Sequence, residues 1–507
     1  MILIYLSCSN LFILKDPVNS FRTGEASFSE TKETIASSYV SQLGQKYWFI
    51  NLNGLFVRLT GGRVCNKVVI LKNGMLTDSE ILDTDPTENA RKTAELSKQL
   101  EDLGIKLLYV QIPAKMDLNN DLCPRGIINK GNKNADLLIS ELEKNGVSVL
   151  DLRTDMADTP EHISRYFYKT DHHWNPLGAF RAFQEISAYL QNVYPDEKIC
   201  GTCQDLANWE LHQKEKWFLG SRGKRTGTYF AGVDDLIWLT PKFNTGMSFA
   251  NVYDEEFFRG DFCDANIRED YLKKRDYFDS NPHRIYAGGN YPLVKHRNPD
   301  APSDKRILMV KDSFALPLEA FISTIFKEVD VIDMRYYETG SLDTYISDSM
   351  PDMVLMGFNA YLVGSEELFG TGADTDIRKY KEPEKLYEIR NLVIKTEPDD
   401  ESSHIPLYKD IKAGNKYTLK IDEVAVSKGK PDRLSFCLYD PVNDSTYNRD
   451  LWDLDYCIKT GSSQWTFTVP ADVNDLELTI SPTAFDNASD VEISLSGIEL
   501  YRYPYQP

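Results

Sequence analysis

The sequence predicts an α/β domain with a parallel sheet flanked by helices, followed by an all-β sandwich. Between about residues 89 and 358, buried-type strands alternate with amphipathic helices, as in parallel sheets. From about residue 383, short segments of alternating apolar and polar residues follow one another with turn-rich segments between them. Residues of about 200–300 break the first pattern, and we interpret them as an insertion that walls one side of a cleft.

The first 80 residues form a lead-in to this pattern. Met1 to Leu14 is mostly apolar, but polar residues interrupt it and no basic residue precedes it. It is either a degraded or cropped secretory signal, within a lead-in of residues 1–42, or a buried strand. The aromatic and β-branched content of Lys46 to Phe56 predicts a strand and turn. Asn73-Gly74 predicts a hairpin.

The strands and helices of the α/β part are predicted from the spacing of apolar residues and from the residues that end an element. Apolar residues recur on one helical face from Asn89 to Leu103, and Gly104 ends that helix. Strands are predicted at 106–112, 147–151, 306–310, 329–333 and 352–358. Helices are predicted at 89–103, 135–144, 176–190 and 316–326. Strands of the sandwich are predicted at 417–421, 434–438, 465–469, 476–480 and 491–495.

Composition narrows the classes of function. The net charge of -20 argues against a general nucleic-acid binder. No stretch reaches the roughly 18–20 apolar residues of a membrane span.

Cys200 and Cys203 are the one close cysteine pair, and no second pair or spaced histidines complete a zinc set. Cys437 and Cys457 are candidates for a disulfide in an oxidising compartment. We therefore predict no metal and no cofactor.

Chemically capable residues cluster in the string Thr170-Asp-His-His-Trp-Asn175. Asn175 suits a helix N-cap and the following proline suits the first helical position, so the string lies in a loop before a helix. Alternate residues of an extended loop project to the same side, so Asp171 and His173 can face one cleft. A carboxylate beside an imidazole orients the ring and stabilises its protonated form, as a catalytic base requires.

A serine stands at a strand-to-helix elbow in Lys311-Asp-Ser-Phe-Ala315. Ser313 is predicted at the C-terminal edge of the sheet, where its N–H and the helix N-terminus can stabilise an oxyanion. Serine needs a base to act as a nucleophile, and His173 is predicted at the same edge. Each motif alone is more often structural, as an N-cap or a packed histidine pair. Their coincidence at one edge favours a functional site.

The string from Asp171 to Trp174, with Asp312-Ser-Phe314 downstream, resembles the DHHW family of SGNH-hydrolase-like proteins. That family is similar to the alginate O-acetyltransferase proteins of the AlgX and AlgJ type. The resemblance implies a three-layer α/β/α domain, placed at residues 43–380 with the insertion at about 200–300. It also implies that the sandwich at residues 383–507, a jelly roll, is a carbohydrate-binding domain.

The resemblance implies a triad of Ser313, His173 and Asp171. The implied activity is polysaccharide O-acetyl transfer or acetyl-ester hydrolysis through an acetyl-serine. The implied partners are an acetylated or acceptor polysaccharide and a membrane-bound O-acyltransferase as acetyl source, with an extracytoplasmic location in the cell envelope or secreted. Lys311 departs from the alginate-type relatives, which usually have glycine at this position.

Four further residues are candidates for substrate or oxyanion contacts. Asn359 follows a predicted strand and is a candidate oxyanion donor beside the N–H of Ser313. Lys115 and Arg335 are candidate substrate-binding cations, with solvated surface charge as the alternative. His172 is a further candidate, with local packing or hydrogen bonding as the alternative.

Two rival classes stay open. One is a catalytically inactive SGNH-like domain that binds glycan or scaffolds an exopolysaccharide machine. The other is a metal-dependent phosphoesterase that uses Asp171, His172 and His173 as ligands. The second class needs another His-rich motif, whereas His283 and His296 are isolated in the sequence.

Overall fold

The computed structural model describes most of the chain. The described residues are 15–23, 27, 30–32, 34, 45–199, 201–254, 256–337, 341–367, 379–396, 403–429, 431–443, 445–453, 457, 459, 461, 464–469, 471–484 and 491–506. The apolar segment Met1 to Leu14 and the Cys200 position of the close cysteine pair lie outside them. The limits predicted for the two domains stay predictions, because residues 368–378 between them also lie outside the described part.

A mixed sheet of eight strands organises the α/β part of the described residues, in the order β11-β10-β12-β14-β13-β15-β5-β7. Its strands are β5 (Lys106–Ile112), β7 (Ser148–Asp151), β10 (Met247–Asn251), β11 (Glu256–Gly260), β12 (Leu293–Arg297), β13 (Ser303–Lys311), β14 (Phe326–Ile332) and β15 (Met353–Asn359). Strands β14, β13, β15, β5 and β7 pair in parallel, as the alternation predicted. Strands β10, β11 and β12 add an antiparallel edge, so residues 200–300 extend the main sheet.

Helices cover both faces of this sheet. The α-helices of the described residues are α1 (Lys15–Thr23), α2 (Lys46–Leu59), α3 (Thr87–Glu101), α4 (Gly131–Lys144), α5 (Arg153–Met156), α6 (Pro160–Tyr166), α7 (Pro176–Val193), α8 (Ser221–Thr226), α9 (Thr228–Ala231), α10 (Phe262–Asn266), α11 (Asp270–Lys273), α12 (Leu316–Ile322) and α13 (Leu342–Ser349). Along β5, Leu108 and Val110 join the core of α7 and α12, whereas Leu107 and Tyr109 join that of α3 and α4. This alternation follows from the two-residue period of a strand and gives three layers.

Smaller strands complete the α/β part. They are β1 (Val64–Cys65), β2 (Val68–Ile70), β3 (Leu76–Asp78), β4 (Glu80–Ile81), β6 (Ile128–Asn129), β8 (Trp209–Phe218) and β9 (Asp234–Pro241). The hairpin predicted at Asn73-Gly74 is confirmed, because β2 and β3 pair antiparallel across it and Gly74 has a φ of 86°. Gly104 follows α3 with a φ of 74°, the left-handed conformation that ends a helix.

Two predicted elements are wrong. Residues 46–56 form part of helix α2, and the inward residues Tyr47, Asn51 and Gly54 have helical spacing. Their period was obscured because large apolar residues lie on the opposite, exposed face. The helix predicted at 316–326 ends at Ile322, where the Ser323 and Thr324 hydroxyls donate to carbonyls of the preceding turn.

Antiparallel strands make up the remainder. Among the described residues, they form two four-stranded sheets, β17-β24-β19-β22 and β18-β23-β20-β21, and a short pair of β16 with β25. The strands are β16 (Lys379–Tyr380), β17 (Glu384–Thr396), β18 (Ser403–Ile411), β19 (Lys416–Lys428), β20 (Pro431–Asp440), β21 (Ser445–Asp453), β22 (Gln464–Thr468), β23 (Val473–Ala484), β24 (Val491–Tyr503) and β25 (Tyr505–Gln506). Residues of both sheets share one apolar core, so the prediction of an α/β domain followed by a β-sandwich is confirmed.

Two further sequence expectations concern cysteines and membrane spans. Cys437 has a free thiol, so the disulfide considered with Cys457 is not formed. Within the described residues, no helix combines the length and apolar character needed to cross a bilayer.

Candidate active site

The segment from Phe167 to Asn175 enters helix α7 through a loop that is fixed on both sides. Asn175 caps α7 by accepting a hydrogen bond from the Gly178 N–H at 3.1 Å. The buried Asp234 carboxylate, on β9, accepts from the N–H groups of Lys169 and Thr170 at 2.6 and 2.7 Å. The loop is therefore held by a residue of the segment that was predicted to be an insertion.

The serine elbow follows strand β13 and is built around Asp312. Its carboxylate accepts from the Phe314 N–H at 2.8 Å and from the Asn359 N–H, at the end of β15, at 2.7 Å. Residues Ser313–Ala315 then form a 3-10 turn that leads into α12. Burial raises the pKa of Asp312 to about 6. The elbow is thus tied to the C-terminal edge of two neighbouring strands.

The loop and the elbow meet in a Ser–His–Asp arrangement. The Ser313 Oγ lies 2.7 Å from His173 Nε2, and His173 Nδ1 lies 2.5 Å from Asp171 Oδ1. Trp174 locks the two segments together, since its indole N–H donates to the Phe314 carbonyl at 2.7 Å. Asp171 and His173 are buried, whereas Ser313 is partly exposed. A serine reached from solvent and backed by a buried base can act as a nucleophile.

Helix α8 completes the support of Asp171. The Ser221 N–H donates to Asp171 Oδ2 at 2.7 Å. A Cβ at Gly220 would lie 2.3 Å from the Asp171 Cα, so only glycine allows this approach. No local pattern pointed to either residue, because they lie about 50 positions from the aspartate along the chain.

Three imidazole rings lie against one another at the centre of the site, with His172 tilted by 39° and His283 stacked on His173. The ring centroid of His173 lies 3.6 Å from that of His172 and 3.7 Å from that of His283, the latter nearly parallel at 9°. His283 Nε2 also lies 3.2 Å from the Ser313 carbonyl oxygen. His283 looked isolated in the sequence because its partners are distant along the chain.

Burial lowers the pKa of His173 to about 4, with His283 acting in the same direction and Asp171 opposing. For Asp171, burial alone would raise the pKa, but the adjacent His173 outweighs burial and holds the pKa well below its usual range. At neutral pH the pair is therefore an ionised carboxylate beside a neutral imidazole. This is the protonation state in which His173 can accept a proton.

We expect the acid limb of kcat/KM for a chromogenic ester to lie near pH 4. Activity should fall as the pH drops through that value, because protonated His173 cannot take the Ser313 proton. His283→Phe keeps a ring against His173 but removes an ionisable neighbour that lowers the pKa of His173. The acid limb of this variant should therefore move to higher pH. Initial rates across pH test this; a wild-type limb at the ordinary histidine value, about 6.5, would contradict it.

Other predicted contact residues have structural partners. The Lys115 side chain is buried and donates to the carbonyl oxygens of Lys169 and Asp171. Burial lowers its pKa to about 7, and Arg222 acts in the same direction. The prediction of Lys115 as a substrate-binding cation is therefore wrong, because a buried ammonium cannot reach a substrate. It holds the backbone of the histidine loop.

Asn359, Arg335 and His172 also have partners within the chain. The Asn359 side-chain amide donates to the Pro113 carbonyl at 2.8 Å, and its oxyanion role stays a prediction. Arg335 forms a two-pronged ion pair with Asp333, at 2.9 Å from Nε and 2.6 Å from Nη2. His172 Nδ1 lies 2.6 Å from Ser221 Oγ, which is the local hydrogen bond considered as its alternative.

Lys311, the departure from the alginate-type pattern, is accommodated without strain. It ends strand β13 in extended backbone, and its buried Nζ donates to the Asn290 side chain at 2.8 Å. The Glu319 carboxylate lies 3.7 Å from the same nitrogen. The turn therefore needs neither a positive φ nor a missing side chain at this position.

The alternative hypothesis of a metal site uses residues of the same loop that contains Asp171 and His173. In the described part of the chain, Asp171, His172 and His173 could each offer a ligand atom, and these atoms lie within 4.8 Å of one another. Asp171 Oδ1 already accepts from the His173 N–H, while His173 Nε2 faces Ser313. A metal would have to break these contacts, so the observed donor set fits a triad better.

A family of known proteins matches part of this chain. Residues 72–204 match the family model described as SGNH hydrolase-like domain, acetyltransferase AlgX. The resemblance to SGNH-hydrolase-like proteins is confirmed. The match includes the loop with Asp171 and His173 and ends before Ser313. No curated protein matches the chain.

Several solved structures are similar to this chain. PatB1 of Bacillus cereus is 20% identical, with a TM-score of 0.51 over 60% of this chain and 99% of that one. A DHHW family protein of Eubacterium siraeum is 18% identical, with a TM-score of 0.42 over 59% and 97%. AlgX of Pseudomonas aeruginosa is 14% identical, with a TM-score of 0.31 over 85% and 94%. At these identities, the likeness to PatB1 shows the fold of the α/β part alone.

Proposed function

We propose that this chain is a serine O-acetyltransferase or acetylesterase that modifies a polysaccharide of the cell surface. The observation that carries the proposal is the unbroken line of contacts from Ser313 Oγ through His173 to Asp171. The match to an SGNH-type acetyltransferase family supports acetyl transfer among the reactions open to such a triad.

In the proposed mechanism, His173 Nε2 takes the Ser313 hydroxyl proton while Oγ attacks the carbonyl carbon of an acetyl ester. The N–H of Ser313, at the start of its 3-10 turn, is the oxyanion donor that we assign. The donor oxygen leaves with the proton from His173, and the acetyl group stays on Ser313. A sugar hydroxyl or water then gives its proton to His173 and attacks this ester, and His173 returns that proton to the Ser313 Oγ as it leaves.

The acceptor we propose is a neutral or mixed-charge glycan. The net charge of -20 opposes the approach of a strongly anionic polymer such as alginate. A carbohydrate-binding role for the C-terminal sandwich fits this proposal. So do an extracytoplasmic location and a membrane-bound O-acyltransferase as acetyl source.

The test is to trap the intermediate. Purified chain is mixed with p-nitrophenyl acetate, quenched with acid and digested, and the peptide containing Ser313 is measured by mass spectrometry. We expect one added acetyl group on Ser313, absent in Ser313→Ala. PatB1 has been captured with a sulfonyl adduct, and we expect a sulfonyl fluoride to modify Ser313 here and to stop turnover.

Added acceptor molecules then distinguish a transferase from an esterase. Neutral oligosaccharides added to the acetyl-enzyme should become O-acetylated if it is a transferase, whereas free acetate alone indicates an esterase. Glycan binding without any adduct would contradict catalysis and favour the inactive scaffold. Metal analysis of the purified protein and turnover in the presence of a chelator address the phosphoesterase: stoichiometric bound metal required for activity would contradict the triad.

A further inference from the structure

Helix α2 presents an apolar face to solvent. Trp48, Phe49, Leu52, Phe56 and Leu59 are between 39% and 77% exposed. At about 100° of rotation per residue, these five side chains occupy a single stripe about 100° wide. Solvent-exposed helices of soluble proteins normally carry polar residues on this side, so the face marks an interaction surface.

The orientation of this helix is fixed by its opposite face. A Cβ at Gly54 would lie 2.0 Å from the Thr226 carbonyl oxygen, so the backbones of α2 and α8 are in close contact. Asn51 Oδ1 accepts from the Thr228 N–H at 2.7 Å, and the Tyr47 ring stacks on Phe278 at 4.1 Å. The apolar stripe cannot turn inward without breaking these contacts.

Charge around the stripe differs from that of the whole chain. From Lys46 to Thr77 the sequence has no Asp or Glu, although the chain carries a net charge of -20. On the helical wheel, Lys46 and Arg58 flank the stripe on opposite sides. Arg58 is exposed, as are Arg63 and Lys67 just beyond the helix, whereas Lys46 is half-buried with its Nζ 5.7 Å from the centre of the Tyr47 ring. Asp279, an acidic partner of α2, accepts from the Tyr47 hydroxyl on the inward side.

We infer that the outer face of α2 docks on the surface of a bilayer that contains anionic lipid. An apolar stripe with a tryptophan, bordered by basic side chains, is the pattern of helices that lie in the membrane interface. The apolar side chains enter the boundary of the acyl chains, while Lys46 and Arg58 extend to headgroup phosphates. Pairing with a second copy is less favourable, because it would bring the same basic residues together.

Docking would also fix the orientation of the candidate active site. Helix α8 contacts α2 through Thr226 and holds Asp171 through the Ser221 N–H. The acidic remainder of the chain would be repelled by an anionic surface, so only the α2 side would face the membrane. The inference stands on exposure and charge and does not depend on acetyl transfer.

Vesicle flotation of the full chain tests the inference. We expect binding to vesicles of phosphatidylcholine with phosphatidylglycerol, weaker binding to phosphatidylcholine alone, and a decrease with salt. The double variant Trp48→Ser with Phe56→Ser should bind at least about 10-fold more weakly, because two buried aromatic side chains are lost. Lys46→Gln with Arg58→Gln should remove the preference for phosphatidylglycerol.

Controls separate this face from other apolar surface. Leu211→Ser and Val393→Ser, each at a position that is 50% exposed elsewhere, should bind as the wild type does. Residues 1–14 remain in every variant, so binding through them would survive Trp48→Ser with Phe56→Ser and would overturn the inference. It would also be overturned by no vesicle binding at low salt, or by a dimer that this double variant dissociates in the absence of any vesicle binding.

Discussion

Replacing Ser313 by Ala should lower the turnover of p-nitrophenyl acetate by at least about 10³-fold, and His173→Ala should lower it to a similar extent. The two losses should not add in the double variant, because the hydroxyl and the base at 2.7 Å act as one unit. The test is to measure initial rates of the two single variants and of the double variant at neutral pH. Circular dichroism checks that each variant is folded.

A matched control is available in the same domain. His162 Nδ1 lies 2.5 Å from Asp158 Oδ1, the same separation as in the His173–Asp171 pair, but on the exposed surface of α6. His162→Ala removes a paired histidine that has no role in the proposed chemistry, so its turnover should match the wild type. Undiminished turnover in both Ser313→Ala and His173→Ala would refute the triad.

Gly220→Ala should lower kcat by about 10²-fold, the effect of displacing a catalytic group by about 1 Å. The new Cβ would meet the Cα, Cβ and N of Asp171 at 2.3, 2.3 and 2.4 Å, so the aspartate must move away from His173. Turnover kinetics measured together with thermal unfolding test this. A normal kcat in a folded Gly220→Ala protein would show that the position of Asp171 does not matter.

Two further variants make the Gly220 result interpretable. Gly289→Ala is the control, because the nearest atom to its new Cβ would be at 3.8 Å. Ser221→Pro removes the N–H that donates to Asp171 Oδ2, at the first position of helix α8, where proline is tolerated. We expect Ser221→Pro to lower kcat without unfolding the protein, and Gly289→Ala to change neither kcat nor stability.

Strands and helices were predicted correctly from the sequence where the residues within and next to the element determine it. Strand β5 was predicted with the observed limits, since a buried run between Gly104 and Pro113 has few alternatives. Asn175 and Pro176 marked the start of α7 because a cap acts through the backbone within a few residues. Helix α2 was misread because large apolar residues lie on its exposed face, whereas its inward face includes Asn51 and Gly54, so the usual pattern of an amphipathic helix is missing.

The sequence by itself determined the order of strands and helices in the parallel part of the sheet, the loop with Asp171 and His173, and the serine elbow. These depend on backbone propensities and hydrogen bonds between near neighbours. The tertiary structure alone decided which residues support them: His283 against His173, Ser221 on Asp171, and Lys115 inside the loop. Such contacts join residues that are 50–110 positions apart along the chain, so no local pattern encodes them. They arise only when the sheet brings the loops together at one edge.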